Sequence, residues 1–282
     1  MAIGLSTLPG VLLTYPALGE AVPCPYGRFE IEAVLDAAVV GQPPLVLLSH
    51  GTGTAPDVYR GLAADLAHAG LAVAALSHAG NRLGDDTLAG TAEVLTRRTR
   101  QAVEAADLAL EALGRDGSDR HRVGVVGHSL GAATALALAG ARPSTMPWET
   151  ADATERPIEV SRDARVAALV LLMPATPWFG RPGALADVDA ATLMLTAEHD
   201  DHTPAWHGEI LTAGMPHLTH HVVGGGHFAA LTHFGPRAVA AGLPPALDPP
   251  GFDRAAAQRR WHPRVADWLT THLRDAAVPA QG

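Results

Sequence analysis

The sequence predicts an α/β protein: one mostly parallel central sheet of about eight strands, flanked by helices, with a small excursion at its edge. Three observations predict it. Short apolar runs alternate with amphipathic stretches of helical period along most of the 282 residues. The central runs are continuous, as in strands buried on both faces. Between Arg122 and Ala141, an apolar run, a sharp Gly127-His128-Ser129-Leu130-Gly131 turn and an alanine-rich helix follow at once. With 29 glycines and 7 serines, chance supplies a G-x-S-x-G pattern only about 0.07 times.

In chain order, Val11 to Leu18 and Arg28 to Leu35 read as strands, with Pro23 to Gly27 as the turn between them. The second alternates apolar residues with Glu30 and Glu32, which suits a half-exposed antiparallel start. Leu45 to Ser49 is the first buried parallel strand, and a glycine-rich turn, His50 to Thr54, follows it. Such a turn can present backbone N–H groups to a ligand. Asp57 to Ala69 is an amphipathic helix stopped by Gly70, and Leu71 to Leu76 the next strand. The loop Ser77 to Arg82 leaves at the edge where ligands bind in open α/β sheets, which makes His78 a candidate pocket residue. Thr91 to Leu113 is a long helix and Gly114 to Ser118 a turn into the Ser129 strand.

Beyond that helix, 142–164 turns polar and proline-bearing, with Trp148 its largest apolar residue, and is the candidate lid. Arg165 to Met173 is a strand that delivers Trp178 and Phe179, either a pocket wall or plain core. Ala191 to Thr196 is a strand ending in Glu198, Asp200 and Asp201. Thr219 to Val223 is the last strand, followed by Gly224-Gly225-Gly226-His227-Phe228, a glycine run that frees the loop to swing the His227 ring. Gly235 to Gly251 is a proline-rich excursion, Phe252 to Leu273 a closing helix, and Pro279 to Gly282 a frayed tail. The whole, 1–282, reads as one domain.

These residues carry a chemistry. A serine on a strand-to-helix turn presents its hydroxyl beyond the sheet edge, and the helix that starts there aims N–H groups at a neighbouring oxyanion. A histidine after a later strand, with a carboxylate after another, completes a nucleophile, base and orienting acid in the order Ser129, Asp200, His227. Asp201 stands second to Asp200, and Glu198 third. Phe228, beside the histidine, is a further candidate for substrate contact.

Composition narrows the partners. The formal charge is −9 with no basic run, which excludes nucleic acid. No H-E-x-x-H or Cys/His frame of zinc spacing appears, so no metal and no cofactor are expected. Cys24 is the lone cysteine, and the N-terminal stretch lacks a charged and then unbroken apolar signal, so a cytoplasmic location is expected. No run has the length of a membrane span. Oligomeric state is not readable.

The segments Ser49 to Gly53, Gly127 to Gly131, Gly226-His227-Phe228 and Pro250 to Ala255 together resemble the α/β-hydrolase superfamily. More narrowly, they resemble the predicted dienelactone hydrolase group, itself similar to platelet-activating-factor acetylhydrolases. The resemblance implies oxyanion donors at the N–H groups of Thr52 and Leu130, with Gly53 the alternative to Thr52. It implies a serine hydrolase that cleaves a carboxylic ester with a hydrophobic part through an acyl-enzyme. Dienelactone hydrolases commonly carry cysteine at the position of Ser129, which shifts the expectation from a dienelactone to an ordinary ester. A lactone hydrolase and an acyltransferase share the same machinery, and a non-catalytic binding protein is the rival from another class.

Overall fold

The apolar runs become strands covered on both faces. The computed structural model describes residues 1–115 and 121–273. Among these, ten strands form one sheet: β1 (Ala2–Leu8), β2 (Val11–Ala17), β3 (Val22–Tyr26), β4 (Phe29–Leu35), β5 (Leu45–Ser49), β6 (Ala72–Leu76), β7 (Val123–His128), β8 (Val166–Leu172), β9 (Ala191–Ala197) and β10 (Thr219–Val223). Their spatial order is β10-β9-β8-β7-β5-β6-β2-β1-β4-β3. The six from β5 to β10 are mutually parallel; β2 joins β6 antiparallel and leads into the N-terminal strands.

Two strands exceed the eight expected. Ala2–Leu8 pairs along its whole length with β2. Pro23 to Tyr26 is not a turn but part of β3, paired to β4 from Val22↔Ala33 to Tyr26↔Phe29. Prolines are tolerated there because β3 is the outermost strand, where an absent N–H breaks no second ladder. The turn expected at 114–118 lies partly, and the tail at 279–282 wholly, outside the described residues.

Helices α1 (Arg60–His68), α2 (Glu93–Ala112), α3 (Leu130–Leu138), α4 (Trp206–Gly214), α5 (Pro236–Ala240) and α6 (Arg254–Leu273) complete the layers. Successive strand residues feed opposite faces: Leu45 and Leu47 join the core beneath α2 and α3, Val46 and Leu48 the core beneath α1 and α6. That explains why the strands read as continuous apolar runs. Every residue of α3 is buried, and its alanines let it lie close to the sheet. No helix of the described residues is long and apolar enough to cross a membrane.

The strand order reverses beside β5: the chain runs from β5 to β6 on one side, then returns to β7 on the other. The loops after β5 and β7 therefore leave the sheet side by side, in register Ser49↔Gly127, at a topological switch point.

Candidate active site

Ser129 sits between the end of β7 and the start of α3 with φ 54° and ψ −119°, in the left-handed half of backbone space. A non-glycine residue is held there only when its surroundings over-determine it. Gly127 and Gly131 do so. A Cβ on Gly127 would press into the Gly131 carbonyl and lie 2.6 Å from the Ala132 nitrogen; one on Gly131 would meet the Ser49 and His50 carbonyls. Strand, turn and helix close so tightly that only glycine fits at either flank.

The turn after β5 is aligned peptide by peptide. The His50–Gly51 peptide is clamped at both ends: its carbonyl accepts from Arg98 Nη2, and its N–H donates to the Tyr59 hydroxyl at 3.2 Å. The Gly51 carbonyl accepts from His50 Nδ1 at 2.6 Å and from Thr54 Oγ1 at 3.2 Å. Because the peptide is trans, fixing that carbonyl turns the Thr52 N–H the opposite way. Among the described residues neither the Thr52 N–H nor the Leu130 N–H donates to another protein group. Leu130 opens α3, where the helix dipole is positive.

His227 and Asp200 form the second half. His227 Nδ1 lies 3.0 Å from both Asp200 oxygens, and the two side chains are only 5% and 4% exposed. Burial pushes the Asp200 carboxyl up. Hydrogen bonds from His227 and from the Thr203 N–H and hydroxyl overcome that and bring it down to about 2. With Nδ1–H committed to a carboxylate, Nε2 is the nitrogen free to take a proton. Asp201 is 85% exposed and binds His202 instead. Of the three acids, Asp200 is the one whose side chain bonds the His227 ring among the described residues, while Glu198 contributes only a backbone bond to Val223.

His128 ties the halves together. Its Nδ1 accepts from Tyr59 at 2.8 Å and its Nε2–H donates to the His227 carbonyl at 2.9 Å. Burial, with His227 second, pushes His128 down to about 3, so it is a neutral strut at ordinary pH. His202 stacks on His227 at 4.7 Å, nearly parallel. Sequence reasoning missed Tyr59, His128, Thr203 and His202 as members of this assembly. His202 and Thr203 had a local signal in the same loop as Asp200, and His128 one beside Ser129.

The outer candidates fare unequally. His78 does not line a pocket. It is fully buried, its Nε2 accepting from Ser49 at 2.9 Å and its Nδ1 facing Gln101 at 3.2 Å. The loop that carries it folds inward because Ser49 and His50 need polar partners. Phe179 is core beneath α3 and α4, bordering a cavity of about 510 Å³ that Ser129 and His227 do not touch. Trp178 is half-buried, three residues past the Ala175 N–H that binds the Ser129 carbonyl, and its indole donates to Glu149. Phe228 sits edge-on to both His227 and His202. It lines a cavity of about 310 Å³ with His227, His202, Pro244 and Leu247. The 142–164 excursion is anchored by a Ser144↔Pro157 bridge and by the Asp163 N–H on Leu138. Its tip carries Trp148, 69% exposed.

The glycine run before His227 does not swing free. Gly225 has φ +99°, and Phe252 fills the space a side chain there would need, 2.5 Å from an added Cβ. Asp253 caps the closing helix through the Ala256 N–H, and Arg254 holds the proline-rich excursion through Asp248 and the Pro245 and Leu247 carbonyls. Gln258 binds the Ala229 and Leu231 carbonyls just past His227. The Phe252-Asp253-Arg254 segment braces the loop that carries His227.

As to metals, Asp200, Asp201 and His202 bring ligand atoms within 4.8 Å of one another. The Asp200 oxygens already serve His227, Thr203 and the His202 N–H, and the other two residues face solvent.

A family model described as serine aminopeptidase, S33, matches residues 43–150, from the approach to β5 through the Ser129 turn into the excursion. Among solved structures, a ferulic acid esterase from Streptomyces cinnamoneus has TM-score 0.59 at 22% identity, over 95% of this chain and 84% of that one. A dienelactone hydrolase from Anabaena variabilis has TM-score 0.49 at 19% identity, over 90% of this chain and 97% of that one. No curated protein matches the sequence.

Proposed function

On the α/β-hydrolase fold that this chain adopts, we propose a serine hydrolase that cleaves a carboxylic ester with a hydrophobic part. The observation that supports it best is a strained Ser129 at the strand-to-helix turn, next in sequence to a residue that touches His227, whose own Nδ1 is committed to buried Asp200.

In this reading His227 Nε2 takes the Ser129 hydroxyl proton as Oγ attacks the ester carbonyl. The carbonyl oxygen becomes an anion held by the Thr52 and Leu130 N–H groups. The tetrahedral centre collapses, the alcohol leaves with the proton from His227, and an acyl-Ser129 stays. Water then attacks the acyl carbon, giving its proton to His227, and the acid departs as Ser129 recovers the proton. Asp200 keeps Nδ1 protonated and balances the imidazolium. Trp178 and Phe228 would flank the ester, and 142–164 would close over Trp178 as a lid, Trp148 packing onto apolar substrate.

The experiment is labelling with a fluorophosphonate, followed by peptide mapping. The expected result is one adduct on Ser129, lost in His227→Ala, with turnover of p-nitrophenyl esters. Ser129→Ala should lower kcat on the order of 10⁴-fold or more. No adduct on Ser129, or unchanged turnover in Ser129→Ala, defeats the reading.

A further inference from the structure

Behind the oxyanion turn lies a positive charge that touches no reacting atom in the mechanism above. Arg98 is 1% exposed and lies on the same face of α2 as buried Leu95, Ala102 and Ala105. Its Nε–H donates to Thr134 Oγ1 at 2.9 Å and Nη1 to Asn81 Oδ1 at 2.7 Å. Its Nη2 donates to Ser49 Oγ at 3.2 Å and to the His50 carbonyl. All four acceptors are neutral. Among the described residues no carboxylate accepts from it; Asp86 is reached only through the Asn81 amide, which also donates to Thr52 Oγ1 at 2.8 Å. Burial pulls the guanidinium down to about 9, so it is still charged at neutral pH.

Burying a charge without a direct counter-ion is costly; a leucine would avoid that cost but leave these buried acceptors without their donor. What the arginine does that leucine cannot is hold the turn. It grips the His50 carbonyl directly and the Thr52 side chain through Asn81, so both ends of the His50–Thr52 segment hang on one rigid fork. The missing counter-charge has a natural source. An anion forms on the substrate oxygen beside Thr52 during the reaction and is absent from the neutral ester before it.

We propose that Arg98 is a positioning residue of the oxyanion turn, and that its buried charge is complemented by the oxyanion itself. The inference rests on the serine-hydrolase reading. An interaction that strengthens only as charge develops lowers the barrier without tightening substrate binding. The effect therefore falls on kcat and spares KM.

The test compares wild type with Arg98→Met, Arg98→Lys and Asn81→Ala. It measures kcat and KM on a p-nitrophenyl ester, melting temperature, and inhibition by a trifluoromethyl ketone, which adds to serine as an anionic tetrahedral adduct. Arg98→Met should lose on the order of 10- to 100-fold in kcat with KM little changed, and a similar factor in ketone affinity. Arg98→Lys should recover part of both, and Asn81→Ala should lose several-fold in kcat. A folded Arg98→Met with wild-type kcat, or with kcat lowered but ketone affinity intact, overturns the proposal. If Arg98→Met does not fold, wild-type kcat in both Arg98→Lys and Asn81→Ala overturns it. Wild-type protein that neither hydrolyses esters nor binds the ketone defeats the underlying reading instead.

Discussion

The turn after β5 and the loop after β10, proposed to supply the oxyanion donor and the base, are held by different physics. The turn rests on a sealed polar layer: His50, His78, Ser49, Arg98 and Tyr59 are all buried and bonded to one another or to backbone. The base loop is held from outside by the Phe252 ring and by a carboxylate–imidazole pair, and an exposed second pair, Asp201–His202, stacks on it. In the turn after β5 the buried rings are neutral and Arg98 carries the charge; in the loop after β10 the His227 ring has a carboxylate on Nδ1 and, in the proposed mechanism, Nε2 left to take a proton.

The sharpest way to break this comparison is at the twin acids. Asp200→Asn leaves a side chain of the same shape but offers Nδ1 no charge to balance the imidazolium, and kcat should fall on the order of 10³- to 10⁴-fold. Asp201→Asn removes only a surface partner of His202 and should change kcat by no more than about 3-fold. Steady-state kinetics on one ester decides. Equal losses would mean that the two pairs act as a unit.

The sealed layer carries a second prediction, in acid. Burial, with Arg98 second, pushes His50 down to about 3, and burial, with His227 second, does the same to His128. Both lie below the ordinary histidine value of 6.5. The unfolded chain therefore binds more protons than the folded one between about pH 6.5 and 3. Stability contributed by the neutral rings is complete above pH 6.5 and is lost as pH falls towards 3, at roughly 1 kcal/mol per pH unit for each ring. Urea unfolding between pH 7 and 4 checks it: His128→Asn should flatten the slope. An unchanged slope would show that the ring is not kept neutral.

Much of this was legible in the sequence because it depends on local order. Ser129, Asp200 and His227 each follow a strand that announces itself as an apolar run, and the elbow needs its glycines at fixed spacing. The rest depends on tertiary partners. Pro23 to Gly27 reads as a turn because two prolines dominate the local signal, and only the place of β3 at the sheet edge permits a strand there. His78 looks like a pocket residue until Ser49 and Gln101 claim it. Arg98 had a signal that a strict helical wheel exposes: it falls on the apolar face with Leu95 and Ala102. Phe252 falls in a segment that carries the resemblance, but no local pattern explains it, since it fills space beside a glycine 27 positions earlier.

That contact gives the smallest effect and the most specific. Gly225 is doubly constrained, by φ +99° and by the Phe252 ring. Phe252→Ala should cost about 2 kcal/mol of stability, since the ring is only half buried, and should lower kcat about 10-fold as the base loop loosens. Gly225→Ala should cost more, because it adds both backbone strain and a clash. In the double variant the clash is gone and the strain is not. The two costs should therefore fail to add, with a favourable coupling on the order of 1 kcal/mol. Denaturant titrations of the four proteins give the cycle. Strict additivity would mean that Phe252 and the loop do not meet, and the brace assigned to the closing helix would fall with it.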